Sequence, residues 1–116
     1  MTNKVYGLIG IAAKAGKVTS GGNTCEIPII KGKAKLVIIA GDSADNTKKR
    51  FHKIAVDNGV PVRVFGSCEN LGKFCGKDRR SVLTVNDNGF ALKLMALIDD
   101  SSRINGGGII GENQSI

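Results

Sequence analysis

Side chains able to act as nucleophiles, bases or metal ligands are sparse: one histidine, His52, and three cysteines, Cys25, Cys68 and Cys75. His52 sits among Lys48, Lys49, Arg50 and Lys53, with no carboxylate close in sequence to orient it as a base. Cys68 and Cys75 have six residues between them, the spacing of neither a redox pair nor a zinc site, so the cysteines read as packing residues and free thiols. Carboxylates are scattered, so no acid and base pair is suggested. The stretch Gly10 to Val18 fails as a phosphate-binding loop. Five residues rather than four separate Gly10 from Gly16, and Val18 follows Lys17 where a Ser or Thr should hold magnesium. The expectation is a protein without catalytic residues, metal or cofactor.

The remaining chemistry is that of binding. Gly21-Gly22-Asn23-Thr24 reads as the opening of a helix, where unpaired backbone N–H groups and a partial positive charge suit a phosphate. Asn23 adds a donor and an acceptor, as reading a base edge requires, although Asn23 or Thr24 could instead simply cap the helix. A second polar, basic stretch is Gly76-Lys77-Asp78-Arg79-Arg80. Net charge is +7 and the sequence pI about 9.6. Residues 1–53 carry ten basic and three acidic groups, whereas residues 54–116 balance. Such asymmetry points to an acidic polymer as partner. Aromatic residues make up only 4% of the chain, which favours a folded, shaped RNA over a stacked single strand.

These segments need elements to position them. Val5, Leu8, Ile9 and Ala12 form a helical stripe over about residues 3–13. Residues 35–41 hold five consecutive apolar residues and read as a strand buried on both faces. Asp42 to Asp45 supplies capping chemistry for a helix to about Val56, with Phe51, Ile54 and Ala55 facing inward. Strands follow over 60–65 and 81–85, with a short helix over 69–74 between them and a closing helix over 89–98. Pro28 predicts a kinked or shortened helix after Cys25. Alternating helices and buried strands argue for a three-layer α/β/α sandwich over residues 1–99 around a mixed, mostly buried sheet. Residues 100–116, rich in Gly and Ser, read as a flexible tail. No apolar run reaches the roughly 20 residues of a membrane span and no signal peptide is evident, so a cytoplasmic protein without membrane contact is expected. Oligomeric state is not legible, and a monomer is the default.

Several pieces, in order, carry a family likeness: Lys17-Val18 with Ser20-Gly21, Lys31 to Ala40, Asp42 with Asp45-Asn46-Thr47, Val60-Pro61-Val62, Leu71-Gly72-Lys73, Cys75 to Asp78, and Asp87 to Ala91. Over about residues 4–98 the chain resembles the L7Ae family of kink-turn-binding ribosomal proteins, above all its small bacterial YlxQ-like branch. The resemblance implies an α/β/α sandwich that binds kink-turn-like folded RNA, with ribosomal RNA among the candidates. It further implies that a helix start enters the major groove beside tandem sheared G·A pairs while a later loop covers a flipped-out nucleotide. Gly21 and Asn23 match the helix-start pattern; Thr24, Glu26 and Ile27 stand where that pattern has Glu, Thr and Lys. With the reading above, the expected RNA-binding set is Lys17, Gly21, Gly22, Asn23, Thr24, Lys31, Gly76, Lys77, Asp78 and Arg79. The alternative is a protein–protein adaptor on the same fold that has lost specific RNA recognition.

Overall fold

A computed structural model of the chain describes residues 2–106. Nine elements follow one another: α1 (Thr2–Lys14), β1 (Val18–Ser20), α2 (Gly22–Ile30), β2 (Leu36–Ile39), α3 (Asp45–Asp57), β3 (Val62–Val64), α4 (Cys68–Phe74), β4 (Val82–Val85) and α5 (Asn88–Gly106). The four strands form one sheet in the order β1-β4-β2-β3. β2 runs parallel to β3 and antiparallel to β4, and β1 is antiparallel to β4. The sheet is therefore mixed, and its two central strands are buried along their whole length.

Alternation along β2 assigns its residues to two cores, because successive side chains leave opposite faces of a strand. Leu36 and Ile38 join Val5 and Ile9 of α1, Leu71 of α4 and Ala91, Leu94 and Ile98 of α5. Val37 and Ile39 join Cys25 and Ile29 of α2 with Phe51 and Ala55 of α3. The result is the expected three-layer sandwich, with β2 an interior strand.

Four features differ from the sequence reading. The first is β1, a strand for which the sequence offers no signal of its own. Three residues are too short to show a period of two, and Val18–Ser20 becomes a strand by pairing with β4. Secondly, α2 runs through Pro28 as a continuous helix of nine residues. Thr24, whose carbonyl loses its i+4 donor at Pro28, is exposed to water, and Pro28, Cys25 and Ile29 form the helix's buried stripe. The Pro28 carbonyl closes the helix by accepting from the N–H groups of Lys33 (2.9 Å) and Ala34 (3.0 Å). Thirdly, Asp42 does not cap α3, whose N-cap is Ala44 without a side-chain hydrogen bond; Asp42 serves α4 instead. Finally, α5 continues through Gly106, so residues 100–106 of the expected tail are helical. Asp99 on this extension pairs with Arg63 of β3 (Nε to Oδ1 2.8 Å, Nη2 to Oδ2 3.1 Å), and Ser101 is buried. The rest of the expected tail, residues 107–116, lies outside the described residues.

Candidate nucleic-acid interface

The start of α2 is set by glycine. Gly21 takes φ +103° and ψ 165°, a conformation L side chains rarely adopt, and its N–H donates to the Val82 carbonyl at 3.2 Å. That bond extends the β1–β4 pairing by one step before the chain turns into the helix. No side chain caps α2. The Thr24 hydroxyl turns back to donate to the Ser20 carbonyl (2.8 Å), and Oδ1 of Asn23 accepts from Nη2 of Arg50 on α3 (3.0 Å). Neither Asn23 nor Thr24 is a helix cap, so the partial positive charge of the first turn faces outward uncovered. Arg50 is also ion-paired with Glu26, three positions after Asn23 on α2.

The second segment is held against α4. Ser67 caps that helix by accepting from the Asn70 N–H (3.1 Å), and Asp42 Oδ1 accepts from the Cys68 N–H (2.8 Å). This bond, with a smaller contribution from the Cys68 thiol, holds the Asp42 carboxyl below the usual carboxylate range. Beyond α4, Gly76 reverses the chain at φ +72°, and the Lys77 N–H returns to the Gly72 carbonyl (2.9 Å). Gly72 must be glycine: a Cβ there would run into the backbone carbonyl of Asp78. Lys77, Asp78 and Arg79 are exposed, whereas Arg80 turns inward. Its Nε donates to the Ser20 hydroxyl at 3.3 Å and its N–H to the Cys68 carbonyl at 3.0 Å.

Arg80 therefore ties the 76–80 loop to the last residue of β1, directly before Gly21. Sheet register does the same from beneath, since Ser20 lies opposite Leu83 and Gly21 bonds Val82. Gly21, Gly22, Asn23, Thr24, Gly76, Lys77, Asp78 and Arg79 all gather at one end of the β1–β4 pair. Lys17 and Lys31 do not join them. The Lys17 carbonyl accepts from the Asn86 N–H (2.7 Å) at the far end of β4, and Lys31 caps the C-terminus of α2, roughly 13 Å along the helix from Gly22. Lys35, whose N–H bonds Val85, joins Lys17 there. The basic residues of the expected set thus fall into two groups, one at each end of α2. Arg50 and Arg80 were absent from the expected set. Arg50 had a sequence signal, since Asn23 and Glu26 share one helix face, but nothing local names the partner of that face.

Among the described residues no group of three or more His, Cys, Asp and Glu side chains is placed to hold a metal, and no helix is long and apolar enough to cross a membrane. Cys25 and Cys68 are buried and Cys75 is half-buried. His52 is exposed on α3, beside an open apolar cavity of about 320 Å³ that it lines with Ile39, Lys48, Lys49 and Val64.

Compared with known proteins, residues 3–95 match the model of the Ribosomal protein L7Ae/L30e/S12e/Gadd45 family. The chain belongs to this family. Relatives include the RNA-binding protein YlxQ of Bacillus subtilis, 37% identical over 94 residues, which make up 81% of this chain and 94% of that protein. The large ribosomal subunit protein eL30 of Yarrowia lipolytica is 35% identical over 89 residues, covering 75% of this chain and 82% of that protein. Among solved structures, the Giardia lamblia 15.5kD RNA binding protein superposes with a TM-score of 0.70 at 25% identity, covering 85% of this chain and 88% of that one. The family match over residues 3–95 spans β1, α2, α4 and β4, so the two segments at the shared end of the sheet fall within it.

Proposed function

We propose that this member of the L7Ae family is a non-enzymatic RNA-binding protein of the cytoplasm that recognises kink-turn-like folded RNA and works on or around the ribosome. One observation carries the reading: two sequence-distant segments, Gly21–Thr24 and Gly76–Arg79, lie at the same end of the sheet, tied together by the Arg80–Ser20 bond. There an uncapped helix start lies near an exposed loop that carries Lys77 and Arg79. In this reading the first turn of α2 enters the major groove, Asn23 reads a base edge, and the 76–79 loop covers an unstacked nucleotide. Lys17 and Lys31, at the far end, act as general phosphate contacts. Relatives named as RNA-binding support the partner class, and the ribosomal eL30 supports the setting.

The test compares affinity for a kink-turn RNA with affinity for the same RNA after its G·A pairs are replaced by Watson–Crick pairs, across a series of salt concentrations. The expected result is preference for the kink-turn and a steep salt dependence, with a log–log slope of about −0.9 per duplex phosphate neutralised. Equal affinity for both RNAs overturns specific recognition, and an affinity flat in salt overturns RNA binding. The second result would favour the adaptor alternative, for which Ile27 and Ile30 speak. Both are large apolar side chains on α2, 54% and 62% exposed, without a covering partner among the described residues.

A further inference from the structure

The guanidinium of Arg50 on α3 reaches two side chains of α2 at once. Its Nη2 donates to Oδ1 of Asn23 at 3.0 Å and is ion-paired with Glu26 Oε2. Arginine carries donors and no acceptor, so the Asn23 amide has one compatible orientation, with its carbonyl oxygen toward Arg50 and Nδ2 turned away. A free asparagine would offer a base either a donor or an acceptor. Held this way, Asn23 spends its carbonyl within the protein and leaves two N–H donors for a ligand. We infer that Arg50, anchored by Glu26, is a positioning residue that restricts Asn23 to reading acceptor atoms on a base edge.

The inference rests on the RNA reading proposed above. Its chemical consequence is selectivity for edges rich in acceptors, such as N7 and O6 of guanine, and rejection of edges that present an amino group, such as N4 of cytosine. It also separates Arg50 from the other cations of this surface. Lys77 and Arg79 are exposed on the loop, whereas the charge of Arg50 is already matched by Glu26, so Arg50 contributes little to phosphate neutralisation. An exposed ion pair of this kind adds little to fold stability. Binding variants should therefore stay folded, which melting of each variant checks.

The experiment has one arm without RNA and one with it. In ¹⁵N-labelled free protein, the Asn23 side-chain amide is assigned by its disappearance in Asn23→Ala and followed in the parent, Arg50→Met and Arg50→Lys. The expected result is an ordered amide in the parent and in Arg50→Lys, and a mobile one in Arg50→Met. An amide equally mobile in all three overturns the inference whatever RNA does. With kink-turn RNA, Asn23→Ala in the parent background is expected to weaken binding about 5- to 150-fold, the range of a well-made base contact. In the Arg50→Met background the same substitution should cost less than about twofold, with the salt slope unchanged and Arg50→Lys restoring the full effect. An Asn23→Ala penalty that survives Arg50→Met overturns the inference, as does a salt slope reduced by about one unit, which would make Arg50 a phosphate contact. Failure of the underlying reading looks different: the parent then shows no preference for the kink-turn, while the amide arm still reports on the brace.

Discussion

Asn23 is neutral and exposed, and its side chain bonds Arg50 of α3 rather than capping its own helix. Removing it therefore separates recognition from stability. Asn23→Ala is expected to cost about 1–3 kcal/mol of kink-turn affinity with an unchanged salt slope. Its melting temperature should stay close to the parent's, because a helix cap, whose loss costs roughly 0.5–2 kcal/mol, is not what is removed. Affinity and melting measured on one preparation check both halves. Two residues on, Cys25 makes a different prediction. Burial, only partly offset by a backbone hydrogen bond from Thr84, pushes its thiol from 9.0 up to about 12. The neutral thiol is the folded form, so its contribution is complete below pH 9, where the unfolded chain also keeps the proton. Above pH 9 the unfolded thiol ionises while the folded one does not, and stability falls by about 1.4 kcal/mol per pH unit until the folded value is reached. Denaturant titrations from pH 8 to 10.5 should show a shallower alkaline loss in Cys25→Ala than in the parent.

At the scale of elements, α4 and the loop after it act as one piece. The seven-residue helix gains its order from Ser67 and Asp42 at one end and from the returning N–H of Lys77 at the other. Gly72 is where the two chain segments touch, buried and without room for a methyl group. Gly72→Ala is expected to cost about 1–3 kcal/mol of stability by forcing backbone apart. It should also weaken RNA binding in protein that is still folded, since the loop carrying Lys77 and Arg79 must shift. Chemical denaturation and affinity at a temperature well below melting separate the two effects. A pure loss of stability with full affinity would remove the loop from the interface. Helix α2 illustrates the complementary case, where a proline inside a helix leaves without its donor the carbonyl of an exposed residue, Thr24, while Pro28 itself packs into the core.

The whole molecule is a sheet covered on both faces, and the long α5 reaches across to bind the far edge strand. Arg63 and Asp99 join β3 to α5 through two parallel hydrogen bonds, both partners partly exposed, an arrangement worth up to about 1 kcal/mol. A chain ending at Ile98 loses that pair and the buried Ser101, whereas one ending at Gly106 keeps both. The shorter chain is expected to melt about 4–8 °C below the longer, the shift that roughly 1 kcal/mol produces in a domain of this size. Scanning calorimetry of the two truncations decides whether the domain ends near residue 99 or includes the whole of α5.

Helix and strand identities were legible because they depend on which face of a segment is apolar, and Val5, Ile9 and Ala12 or the run Leu36 to Ala40 state that locally. The turns at Gly21 and Gly76 were marked by their glycines, since a positive φ is a property of one residue and its neighbours. The family likeness rested on the same short segments. Closure of the chain decided the rest. Val18–Ser20 is a strand because β4 lies beside it, and beyond Ile98 α5 finds Arg63 for Asp99 and a buried place for Ser101. Capping by Asn23 or Thr24, compatible with the local sequence, gave way to bonds with Arg50, 27 positions away, and with the Ser20 carbonyl. Lys17 and Lys31 look close to Gly21 along the chain, yet a strand and a helix each carry them to the opposite end. Periodicity encodes what a segment buries; the partner it buries against, and the side chains that meet there, are chosen only when distant segments compete for the same surface in the folded molecule.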